Sequence, residues 1–248
     1  MATAQQATRR IEGRGRAVLA VLAGLASGCV VSPVPQPPPM APDIGNVTIV
    51  VDACPQCDQQ VVELRGSAGA VTGEGVELWV VDLDSAAPPH TYPVAEDGSF
   101  VVMLEGSSGH VFRLQTRRDE QRSEPVDIVD AGDGRVGLAP HALEPCFALD
   151  PRFELDFGQR TGPRSIDLTN DCGQTLDIEL RLRVASAAFE IDGAPSSLAA
   201  HENGVVTVSR PAGMPAGLAE EIVFIEAVAP AGVRDRRAVT LIATGTGD

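Results

Sequence analysis

From Leu176 to Val184 the chain alternates. Leu176, Ile178, Leu180, Leu182 and Val184 fall on one side, and Asp177, Glu179, Arg181 and Arg183 on the other. A period of two marks a β-strand with one face buried. The same period recurs at Ile166 and Leu168, at Val239 and Leu241, at Phe100, Val102 and Leu104, and at Phe112 and Leu114. No helical period of useful length accompanies it, and Gly, Pro, Asp and Asn punctuate the runs. The pattern predicts an all-β chain built as two tandem β-sandwiches, over residues 44–138 and 145–248.

In the first module the expected strands are Val47–Val51, Val61–Gly66, Val76–Leu83, Ser99–Leu104, His110–Thr116 and Pro125–Val129. Glu96-Asp97-Gly98-Ser99 reads as a hairpin, because Gly98 accepts the positive φ of a tight turn. Trp79, the only tryptophan, is out of step with Val76, Leu78 and Val80. If those three fill the core, Trp79 lies outside it, covered by a neighbouring element, touching the second module, or contacting a ligand. In the second module, strands are expected at Leu176–Val184, Val205–Ser209, Glu221–Ala227 and Arg237–Thr244.

The start of the chain reads differently. Arg9, Arg10, Arg14 and Arg16 precede the apolar run Ala17–Ala26, too short to span a bilayer as a helix, and small residues follow. This is a secretory signal covering residues 1–28. Ala26-Ser27-Gly28-Cys29 resembles the lipobox of bacterial lipoproteins. That resemblance implies cleavage before Cys29 and lipidation of its thiol, and so a membrane partner through a lipid anchor. The inner-membrane retention Asp of that family is absent after Cys29, so the outer membrane is expected. Residues 29–43 follow, with six prolines between Val30 and Asp43, and read as a semi-rigid tether.

Two further resemblances concern the modules. VAEDGSFVVML, preceded by GSAGAVTGEGVELWV, resembles small immunoglobulin-like and carboxypeptidase-regulatory-like modules of bacterial surface proteins. FELDFGQRTGPRSIDLTNDCGQTLDIEL resembles the opening of hydin-type (ASH, choice-of-anchor D) domains, carried by Leu155, Asp156, Phe157, Gly158, Leu168, Asn170 and Gly173. Both imply immunoglobulin-like sandwiches and generic scaffolds, not an activity.

Composition narrows the function classes. The chain has 248 residues and a net charge of −15, and its basic residues are all Arg. Removing residues 1–28 takes away four arginines and one glutamate and makes the balance more acidic still. Nucleic acid and anionic surfaces need basic patches, so neither is expected as a partner. Without lysine there is no Schiff-base or phosphate-loop Lys. His90, His110, His141 and His201 show no metal spacing, and no catalytic constellation or cofactor motif is present. Asp127, Asp130 and Asp133 lack the spacing of a calcium loop and read as a solvated turn.

Beyond Cys29, the cysteines Cys54, Cys57, Cys146 and Cys172 suggest two disulfides with three possible pairings. Cys54 and Cys57 have redox spacing but lie between β-rich runs, which favours a local structural bond over a reactive pair. A bond between Cys146 and Cys172 would close the larger loop. The expectation is a non-enzymatic envelope lipoprotein with an envelope protein partner. A glycan- or small-molecule-binding module using Trp79 is the alternative.

Overall fold

The computed structural model describes residues 36–52, 60–184, 188–212 and 216–245. The signal, Cys29, Cys54 and Cys57 lie outside them. Contacts divide the chain into residues 1–37 and a compact body, Pro38–Asp248. As expected, the body is all-β, with one short 3-10 turn at Ile44–Asn46.

The first half contributes β1 (Val47–Asp52), β2 (Val61–Gly66), β3 (Glu77–Asp82), β4 (His90–Pro93), β5 (Phe100–Glu105), β6 (Phe112–Arg118), β7 (Gln121–Arg122), β8 (Val126–Gly132) and β9 (Arg135–Leu138). They form one sheet in the order β4-β3-β6-β8-β9-β1-β2-β5, with β7 on β6. The sheet folds over its own core of Ile49, Leu64, Leu78, Phe112, Leu114 and Ile128. Its two ends meet where the Tyr92 hydroxyl of β4 donates to the Met103 carbonyl of β5 at 3.0 Å. Burying the inner face of this sheet is the main stabilising term here, at about 25 cal/mol per Å² of apolar surface removed from water.

The turn at Glu96–Ser99 forms, but not as a hairpin. Gly98 has φ +84, and a Cβ there would meet the Val71 carbonyl oxygen at 2.1 Å. Only glycine fits. Yet β4 pairs with β3 and β5 with β2, so the turn joins the two ends of the sheet instead of two laddered neighbours.

The second half contributes β10 (Phe147–Asp150), β11 (Glu154–Gly158), β12 (Gly162–Asn170), β13 (Leu176–Leu182), β14 (Glu190–Gly193), β15 (Ser197–Leu198), β16 (Glu202–Arg210), β17 (Gly217–Val228) and β18 (Arg234–Gly245). Two sheets, β10-β12-β16-β14 and β11-β18-β17-β13-β15, enclose Phe157, Ile166, Leu168, Leu176, Val206, Val223 and Leu241. This is an immunoglobulin-like sandwich. The short strands β4, β9, β10, β14 and β15 escape the sequence pattern because two to four residues show too little of a period.

The motif residues of the second half have structural work. Leu155 and Phe157 are core residues. Gly158, at φ +53, ends a bulge in β11, which runs parallel to β18. Buried Asn170 donates through its amide to the carbonyls of Gln174, Leu198 and Ala199, and its oxygen accepts the Cys172 N–H. One side chain thus satisfies four backbone groups and fixes the turn after β12.

The described end of the proline-rich stretch, residues 36–43, is partly buried. Pro39 and Pro42 are buried, and Asp43 N–H donates to the Ala70 carbonyl at 2.8 Å. Pro39 and Pro42 thus belong to the compact body that runs from Pro38.

Candidate functional site

Three strands are apolar on both faces. In β3, Leu78 and Val80 point into the first core, whereas Trp79 and Val81 point out of it. In β17, Val223 and Ile225 face the second core, and Ile222 and Phe224 face away. In β18, Ala238 also faces away. Trp79, Val81, Leu83, Ile222, Phe224 and Ala238 meet and bury one another. The two halves share this seam.

Arginines rim it. Arg113, 1% exposed, forks onto Asp127 at 2.7 and 2.8 Å within its own half. Its remaining N–H groups cross the seam to the Thr240 hydroxyl at 3.0 Å and the Ala238 carbonyl at 2.6 Å. Arg117 lies over the Trp79 ring at 4.0 Å and donates to Glu220 at 2.9 Å; Arg122 donates to the same carboxylate. From the other side, Arg183 donates to the carbonyls of Ser85 and Ala87, and Arg236 forks onto Asp84. Burial alone would push the Asp84 carboxyl up. Arg236 and the Val111 N–H outweigh it and hold the group below the usual carboxylate range.

The connection between the halves is pinned as well. Asp235 accepts the Leu143 N–H at 2.8 Å and pairs with Arg237 at 2.8 Å and His141 at 3.3 Å. Burial raises the Asp235 carboxyl, but these partners together lower it below its ordinary value. A carboxyl held low in the fold stabilises above its unfolded pKa and loses that stabilisation as pH falls through its folded one. Stability is therefore expected to decline below about pH 4. Asp235→Asn should remove part of that acid dependence and cost about 2 kcal/mol at neutral pH. Urea unfolding across a pH series checks both.

The outer face of the first sheet is bare where the seam does not cover it. Val50 of β1 neighbours Glu63 of β2, which neighbours Met103 of β5; Thr48, Arg65 and Val101 form the next row. Val50, Val101 and Met103 are 43%, 56% and 61% exposed. Beside them a groove of about 830 Å³ runs along Asn46, Thr48, Arg65, Phe100 and Val101 to Pro93. Arg65 pairs with Glu63 on this face. The exposed apolar side chains are thus interleaved with an ion pair, Glu63 and Arg65 standing between Val50 on one side and Met103 and Val101 on the other.

The residues singled out by sequence fall as follows. Trp79 lies outside the first core, as its parity requires, but is 3% exposed. No ring face is open to a ligand, and contact with the second half is its role. Cys146 and Cys172 are bonded to each other. Arg183, expected to face solvent, is half-buried in the seam. Asp127 belongs to Arg113, and Asp130 caps its own turn by accepting the Gly132 N–H. Among the described residues no group of three metal-type ligands comes together. Apart from Trp79, for which contact with the second module is one of the expected options, the seam residues carry no signal in an alternating pattern, although Ile222–Ile225 and Leu78–Val81 are unbroken apolar runs. Such runs signal strands buried on both faces.

No family model matches the chain, and neither does any curated protein. Several solved structures are similar in part. The chaperone DraB of E. coli matches at 11% identity, over 40% of this chain and 55% of that one, with a TM-score of 0.34. The ASH/PapD-like domain 7 of human CEP192 matches at 14% identity, over 45% of this chain and 98% of that one, at 0.35. A protein of unknown function from Porphyromonas gingivalis W83 matches at 14%, over 81% and 100%, at 0.32. The chain thus spans about half of the DraB chain. Scores of this size leave the fold to be read from the sheets themselves.

Proposed function

We propose that this protein is a non-enzymatic envelope lipoprotein, held at the outer membrane through Cys29, whose body binds another envelope protein. The observation that carries the reading is the bare face of Val50, Val101 and Met103 beside its groove. Exposed apolar side chains interleaved with a Glu63–Arg65 pair fit a protein surface better than a polysaccharide. A glycan-binding reading leans on Trp79 and the acidic surface, and the seam covers Trp79. The lipid anchor rests on Ala26-Ser27-Gly28-Cys29.

Crosslinking in intact cells tests this. The full-length protein should capture a discrete partner. Val101→Asp with Met103→Asp should reduce the yield at least tenfold while leaving the fold intact, since both side chains are more than half exposed. Cys29→Ser should release the protein from the membrane fraction. Undiminished capture by the double variant would move the contact off this face.

A further inference from the structure

One end of the first sheet is an open edge. β5 ladders with β2 on one side only. Gly106 N–H donates to the Gln60 carbonyl, so Gly106 turns its backbone groups toward β2, and by alternation Leu104, Val102 and Phe100 do too. Val101, Met103 and Glu105 turn theirs the other way. On that side the Met103 carbonyl accepts the Tyr92 hydroxyl. Among the described residues, the N–H groups of Val101 and Met103 and the Val101 carbonyl meet no partner. β4, the other end of the sheet, forms no ladder with β5.

Sheet edges are ordinarily blunted by a proline, a bulge or a charge. β4 ends in Pro93. From Phe100 to Leu104, β5 carries none of these. The run FVVML is apolar, rich in strand-forming residues, and keeps its register with β2 without a break. The side chains of Val101 and Met103 are more than half exposed. A regular apolar edge with unpaired backbone groups is a template for one more strand.

We infer that β5 pairs with β5 of a second copy, antiparallel about a two-fold axis at Val102, joining two first sheets into one. The edge is self-complementary in that register. Val101 stands opposite Met103 of the second copy, and Met103 opposite its Val101. Each of these pairs exchanges two backbone hydrogen bonds, so every unpaired group from Val101 to Met103 is satisfied. The Met103 carbonyl has a second lone pair to offer beside the one that Tyr92 takes. On the outer face valine meets methionine twice, and Glu105 faces Ser99, so no like charges oppose each other. A row across the join runs from Glu63 through Met103 and Val101 to Arg65, with opposite charges at its flanks. Centring the pair on Met103 instead would put Glu63 at both flanks and set Glu105 against Val101. The free backbone groups select the strand, and the charges select the register. Side chains stand perpendicular to the sheet, so the pairing leaves the face of Val50, Val101 and Met103 open and doubles it. It goes beyond the envelope partner proposed above and does not depend on it.

The test is sedimentation velocity with amide hydrogen exchange on the full-length protein, in dodecyl maltoside with micelles in excess over protein. Salt is held at about 0.15 M, where charges more than about 8 Å apart are screened. A monomer that becomes a dimer on concentration is expected. The Val101 and Met103 amides should exchange at least tenfold more slowly in the dimer, whereas those of Val102 and Leu104, held by β2 throughout, should not change. Val101→Pro removes a free N–H without touching the β2 ladder and should weaken the pairing at least tenfold. Val101→Lys keeps the N–H but sets a charge against Met103 of the second copy, and should weaken it likewise. Unchanged Trp79 fluorescence shows that each variant folds. A chain that stays monomeric up to about 0.1 mM overturns the pairing. So does a dimer whose Val101 and Met103 amides exchange as fast as in the monomer, and so does one that Val101→Lys leaves intact. Failure of the envelope reading looks different: undiminished capture in cells by Val101→Asp with Met103→Asp, whatever sedimentation shows.

Discussion

Arg113→Ala is expected to cost about 3–5 kcal/mol of folding stability. The guanidinium is 1% exposed and satisfies Asp127, Thr240 and the Ala238 carbonyl together. Removing it strands a carboxylate and a carbonyl at the seam, and the uncompensated charge dominates the loss. Replacing both charges tests that argument. Arg113→Met with Asp127→Leu should recover a large part of the stability, because the stranded charge is gone, though the Ala238 carbonyl still lacks its donor. Urea unfolding followed by fluorescence reads this directly, since Trp79 is the only tryptophan and sits in the seam. A loss below about 1 kcal/mol for Arg113→Ala would mean that water replaces the guanidinium and that the seam is wet.

Cys146→Ser with Cys172→Ser should cost about 3.5 kcal/mol on the chain-entropy account of a 26-residue separation. From sequence alone, the loss would be expected mainly in the second module. The structure changes that expectation. The bond lies where the pinned connection enters the second half, and the seam buries apolar surface from both halves. Loosening one half therefore exposes part of the other. A single shifted transition is expected, seen equally by Trp79 fluorescence and by far-ultraviolet circular dichroism. Two separated transitions would show that the halves unfold independently.

Much of the architecture is legible in the residues. The alternation at Leu176–Val184 predicts a half-exposed strand, and β13 is one, ending two residues earlier at Leu182. The strands expected at Val61–Gly66 and near Phe100 are found within a residue. The parity of Trp79 places it off the first core, as observed. Asn170, noted only as part of a family resemblance, proves to be the side chain that closes a turn.

What sequence determines here is local: period, turn chemistry and which side of a strand faces in. These depend on residues a few positions apart, so they can be read along the chain. The single wrapped sheet of the first half is a different matter. It requires β1 to pair with β9 and the ends β4 and β5 to approach, and no neighbouring residues encode that. The seam is also tertiary. Arg113 and Ala238 are 125 positions apart, and a lone arginine in an alternating strand reads as solvated until its partners are in place. Burial of Pro39 and Pro42 belongs to the same class, since a proline-rich run reads alike whether it is exposed or buried. The sequence determines the strands and the chemistry they carry. The tertiary structure alone decides which outward faces meet, because desolvation of a face depends on what packs against it, not on the residues beside it in the chain.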